Sequence, residues 1–84
     1  MWAIELSREA VRALVTMPRA QAVRIRARLH DLARDPYGTA NVRKLSAHPG
    51  FRLRVGDWRV LYLLDQHRVV VQVIRIARRG EVYR

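Results

Sequence analysis

Apolar and polar residues alternate in Trp2-Ala3-Ile4-Glu5-Leu6, which predicts a short strand near residues 2–6. The period then lengthens. Ser7 offers the side-chain oxygen of a helix N-cap, and Glu9 sits in the first turn, where the helix dipole favours an anion. Ala10, Leu14 and Met17 share one stripe with Val11 beside it, so a helix is expected near 8–17. Pro18 stops it, because proline cannot continue the hydrogen-bond ladder. A second helix is expected near 19–34, with Ala22, Ile25, Leu29, Leu32 and Ala33 on its apolar side and Arg24, Arg28, Asp31 and Asp35 on a polar flank. Asp35-Pro36 ends that helix, and Tyr37 closes its end.

Residues 37–50 carry the Gly, Asn and Pro of a loop, after which the period becomes two. Strands are expected near 51–56, 58–64 and 69–77, joined by turns at Gly56-Asp57 and Asp65-Gln66-His67. The order strand, helix, helix, three strands describes a single small α+β domain over residues 1–84. It has an N-terminal strand, a helical hairpin and a three-stranded antiparallel meander, in a largely antiparallel sheet with helices on one face. Eighty-four residues hold one core and are too few for two. There is no Cys, no apolar run near the ~20 residues of a membrane span, and no leader pattern at the start. The expectation is a soluble cytoplasmic protein without disulfides or thiolate metal sites.

Charge sharpens this picture. Lys+Arg number 17 against 7 Asp+Glu, a formal net charge of +10, and Lys44 is the only lysine. Such a surplus on so small a body attracts polyanions. Arginine's planar fork also pairs bidentately with phosphate and stacks on bases.

The Gly56-Asp57 turn sets a register: Val55 opposite Trp58, Arg54 opposite Arg59, Leu53 opposite Val60 and Arg52 opposite Leu61. Opposed residues project to one face. Phe51, Leu53, Val55, Trp58, Val60 and Tyr62 then point to the core, and Arg52, Arg54 and Arg59 gather on the other side. Arg54 facing Arg59 is unfavourable in isolation, as expected of an anion site, although a solvated face accounts for the same pattern more simply. The face of Arg75 is left open, since two- and three-residue turns after Asp65 predict opposite answers.

Several segments together resemble the RelE/ParE superfamily of bacterial toxins. They are Asp35-Pro36-Tyr37, Val42-Arg43-Lys44-Leu45, the hairpin Phe51-Arg52-Leu53-Arg54-Val55-Gly56-Asp57-Trp58-Arg59-Val60-Leu61-Tyr62, and the end Ile74-Arg75-Ile76-Ala77-Arg78-Arg79-Gly80-Glu81-Val82-Tyr83. The resemblance spans nearly the whole chain. It implies a RelE-like toxin of a toxin–antitoxin module, a metal-independent endoribonuclease that needs no cofactor. Its expected partners are messenger and ribosomal RNA in the ribosomal A site and a cognate antitoxin.

By the same resemblance the catalytic set is Arg52, Arg54, Arg59, Arg79 and Tyr83, with Arg43, Lys44, Arg75 and Arg78 binding RNA. Cleavage through a ribose 2′-hydroxyl needs a base, cations for the pentavalent phosphate and an acid for the leaving oxygen. Several RelE relatives have Lys where this chain has Arg52 and Arg54, and arginine is a poor base, so Tyr83 is left as base or as stacking platform. His48 is a nearby titratable group that reads as a surface histidine, and His30 and His67 read as structural or solvated. Two other functions stay open: a ParE-like inhibitor that binds DNA gyrase without chemistry of its own, and a family member that only binds RNA.

Overall fold

The structure is a computed structural model that describes residues 1–81. The described residues form β1 (Ala3–Leu6), α1 (Arg8–Thr16), α2 (Arg19–Arg34), β2 (Val42–Lys44), β3 (Phe51–Val55), β4 (Trp58–Asp65) and β5 (Val70–Arg78). The strands make one sheet in the order β1-β5-β4-β3-β2. β2 to β5 pair antiparallel in succession, whereas β1 joins β5 in parallel. The helical hairpin carries the chain from β1 to β2 at the opposite edge of the sheet, and the meander β2 to β5 brings the last strand back beside the first, in parallel.

The helices cover one face. Leu14 of α1, Met17 at its C-terminal end and Ala22, Ile25, Leu29 and Leu32 of α2 pack on Leu53, Val55, Val60, Tyr62, Val71, Val73 and Ile76. Phe51 and Trp58 are half-buried at the margin of this core, as the alternation predicts. Trp58 Nε1 donates to Gln21 Oε1 at 2.7 Å, which ties the β3–β4 hairpin to α2. Among the described residues no helix is long and apolar enough to cross a membrane.

Two features depart from the sequence expectation. Residues 42–44, expected as loop, form an edge strand paired with β3 through Val42–Leu53, Arg43–Arg52 and Lys44–Phe51. Three residues are too few to show a period, and their strand character comes from the neighbour they pair with. The second is a bulge in β5. Tyr62 pairs with Val73 but Leu61 with Arg75, leaving Ile74 as the extra residue.

Ser7 pins this bulge. Its hydroxyl donates to the Ile74 carbonyl at 2.5 Å and accepts from Ala10 N at 3.0 Å, and its own N–H donates to the Val73 carbonyl at 2.9 Å. The helix cap and the sheet irregularity are therefore one structure. Ser7→Ala removes both hydroxyl bonds and is expected to cost about 1–2 kcal/mol in urea unfolding.

Tyr62 has a different liability. It is buried, stacked on Phe51 with ring centroids 5.5 Å apart, and its hydroxyl finds no hydrogen-bond partner. Burial pushes that hydroxyl up to about 12. An unfolded tyrosine ionises near 10, so above that pH the unfolded chain releases a proton that the folded chain keeps. Stability is expected to fall by about 2–3 kcal/mol as pH rises from about 10 to about 12. Tyr62→Phe should flatten that alkaline limb in urea titrations, and at neutral pH should be as stable as the parent or more so.

Candidate nucleic-acid interface

The sheet face away from the helices holds the charge. Arg54 pairs directly with Arg59, as the two-residue turn predicts, and Gly56 takes the positive φ (58°) that the turn needs. β2 extends the row: Arg43 lies opposite Arg52, so both project to this face. On the other flank the bulge decides the position of Arg75. Without the extra residue Arg75 would fall opposite Val60 and point to the core; with it, Arg75 lies opposite Leu61, in line with Arg52. The outer face therefore carries Arg43, Arg52, Arg54, Arg59 and Arg75 on four adjacent strands.

Backbone and amide oxygens hold several of these guanidinium groups. Arg59 Nη1 donates to the carbonyls of Gly56 at 2.8 Å and Trp58 at 3.0 Å. Arg54 Nη2 reaches Asn41 Oδ1 at 3.4 Å, while the Arg54 N–H donates to the Asn41 carbonyl at 3.0 Å. Arg75 Nη2 donates to the Glu81 carbonyl at 3.3 Å. Asn41, at φ 65°, thus starts β2 and positions Arg54, a role that sequence inspection missed. The only hint was an asparagine, a residue tolerant of that conformation, just before the Val42-Arg43-Lys44 run.

Partial burial, then the like charges of Arg52, Arg79 and Arg54, pull the Arg59 guanidinium below the usual arginine range, with Asp57 opposing them. Arg79 belongs electrostatically to the cluster, and its N–H donates to the Asp57 carbonyl at 2.7 Å, next to the hairpin tip. Several acids are engaged elsewhere: Asp31 pairs with Arg28 and Arg34, and Glu5 and Asp65 with Arg68.

Two shallow depressions mark the face. One, about 340 Å³, is lined by Asn41, Val42, Arg43, Arg52, Arg54 and Arg59. The other, about 480 Å³, lies toward the β2–β3 loop and has Arg43 and Arg52 in common with the first. A surface of fixed guanidinium groups beside open depressions can bind phosphodiesters and stabilise charge on a pentavalent phosphorus.

Not every expected residue joins this surface. Lys44 pairs with Phe51 and so belongs to the helix-side face, although it borders the second depression. Arg78 pairs with Trp58 and lies over its ring, 4.8 Å from the centroid, also on the helix side. Tyr83 lies outside the described residues.

Comparison with known proteins agrees with this architecture. A family model described as the ParE toxin of type II toxin–antitoxin system, parDE, matches residues 4–83. The chain belongs to this family of toxins, within the RelE/ParE superfamily. Among curated proteins no match was found.

Solved structures give the fold in detail. The intact Escherichia coli RelBE toxin–antitoxin complex contains a chain that superposes with TM-score 0.82 at 18% identity, covering 96% of this chain and 100% of that one. The archaeal RelE–RelB complex from Pyrococcus horikoshii gives 0.81 at 24% identity, covering 96% and 98%. The RelBE2 complex from Mycobacterium tuberculosis gives 0.80 at 23% identity, covering 93% and 98%. The protein is a type II toxin with the RelE fold.

Proposed function

We propose that this toxin is a ribosome-dependent endoribonuclease that cuts messenger RNA in the A site through attack of the ribose 2′-hydroxyl, and that a cognate antitoxin neutralises it. The observation that carries this is the outer-face cluster of Arg43, Arg52, Arg54, Arg59 and Arg75, joined by Arg79. It holds the arginines that the resemblance assigns to catalysis, and like charges face one another across it at a cost that a polyanion would relieve. In this role Arg52, Arg54 and Arg59 position the phosphodiester and stabilise its transition state, and Arg79 lies by the leaving oxygen.

The similar RelE chains were solved with RelB antitoxins, which supports a cognate partner here. An antitoxin segment that covers the arginine face, or displaces the tail bearing Tyr83, would inhibit by occlusion. RNA affinity is expected to fall steeply with salt, because bound cations release counterions from the backbone. A filter-binding series between 50 and 200 mM salt checks it.

A second reading, inhibition of DNA gyrase by binding alone, is favoured by the ParE description of the matching family. Controlled induction separates the two. Messenger cut in ribosome-bound transcripts, mapped by primer extension, is the expected result; intact messenger with stalled replication would establish the gyrase reading instead.

A further inference from the structure

The five arginines of the outer face supply charge but no proton acceptor, since guanidinium stays protonated throughout the physiological range. Of the three histidines, His30 sits on the exposed side of α2 and His67 in the β4–β5 turn. His48 is placed differently. It borders the 480 Å³ depression together with Arg43, Ser46 and Arg52, two of which are guanidinium groups of the outer face.

The loop that carries His48 is held at both ends. Leu45 N–H donates to the Gly50 carbonyl at 3.0 Å, closing residues 45–50 into a compact turn between β2 and β3. Gly50 returns the chain at φ +113°, so close to β4 that a Cβ there would lie 2.7 Å from the Tyr62 carbonyl oxygen. Pro49 disfavours helical backbone at His48. His48 thus sits one proline and one glycine before Phe51-Arg52, exposed at the edge of that depression.

Resting on the ribonuclease reading, we propose that His48 is the proton-transfer residue of this site. The neutral imidazole takes the proton of the 2′-hydroxyl as O2′ bonds to phosphorus and the bond from phosphorus to O5′ breaks. The products are a 2′,3′-cyclic phosphate and a 5′-hydroxyl. The departing O5′ takes a proton from solvent water, and the imidazolium releases its own to solvent, so charge and atoms balance. Arg43, Lys44 and Arg52 are the charged groups that border the same depression, and they hold the phosphodiester rather than exchange protons. Imidazole suits this task because its unprotonated ring nitrogen can accept a proton, which a guanidinium cannot.

The test is single-turnover cleavage of ribosome-bound messenger from pH 5.5 to 8.5, with ribosome affinity measured alongside. His48→Gln is expected to slow cleavage by about 100-fold or more, the usual worth of general acid–base catalysis, with affinity unchanged. It should also abolish the rise in rate through the imidazole range. Added imidazole should restore part of the rate to His48→Gly, which a structural role would not allow. His67→Gln should behave as wild type.

If wild type cuts and His48→Gln cuts equally well, or loses rate with an unchanged pH profile, this inference falls and the ribonuclease reading stands. Transfer of the pH-dependent limb to Tyr83, seen as its loss in Tyr83→Phe alone, also overturns it. A wild type that cuts nothing removes the ribonuclease reading itself and His48's role with it.

Discussion

Arg59→Ala is expected to slow single-turnover cleavage of ribosome-bound messenger by about 100-fold or more, the roughly 3–4 kcal/mol that one lost oxyanion-type contact costs. The Arg59 guanidinium is fixed before substrate arrives by the carbonyls of Gly56 and Trp58. Ribosome affinity should change far less, because the neighbouring arginines share that task. The protein itself should become no less stable, and by urea unfolding should gain up to about 1 kcal/mol, since removing Arg59 relieves its repulsion with Arg54 directly across the ladder. A rate that falls while stability holds or rises marks a residue kept for function. Equal losses of affinity and rate would mark the cluster as a docking surface instead.

The second large effect concerns the backbone beneath the site. Gly50→Ala should destabilise the fold by about 3 kcal/mol in urea unfolding. It forces a Cβ into a φ of +113°, 2.7 Å from the Tyr62 carbonyl oxygen and 2.9 Å from Leu63 Cδ2. Gly80→Ala is the control. Its φ is also positive, +88°, but its Cβ would meet no described residue within 4 Å, so only the conformational cost of about 1 kcal/mol is expected. The difference between the two variants measures how tightly the loop carrying His48 is seated on β4.

The β3–β4 hairpin was legible from residue types alone because two local signals agree there. Strict alternation assigns the faces, and Gly56-Asp57 sets the register, so the Arg54–Arg59 pair followed directly. The rest of the arginine row was not legible in the same way. Arg43 reaches the face only because residues 42–44 pair with β3, a contact with no local signature in three residues. Arg75 reaches it through the Ile74 bulge, which is fixed by a serine 67 positions earlier in the chain. No window of sequence around Arg75 contains that information. Arg78 and Lys44 show the converse: the family pattern groups them with the RNA-binding residues, while their partners Trp58 and Phe51 place them on the helix side.

The parallel pairing of β1 with β5 sets the order in which the molecule can be completed during synthesis. Ala3–Leu6 emerge from the ribosome early and find their partner only when Val70–Val73 have been made and released. Until then the sheet lacks the strand that carries Arg75, and the Ile74 carbonyl that Ser7 holds does not yet exist. Contacts this distant in sequence also form slowly. A nascent chain is therefore an unfinished toxin. If the ribosome is its target, the fold itself delays completion of the arginine face until β5 has been made, leaving time for an antitoxin already present to meet the toxin as it folds.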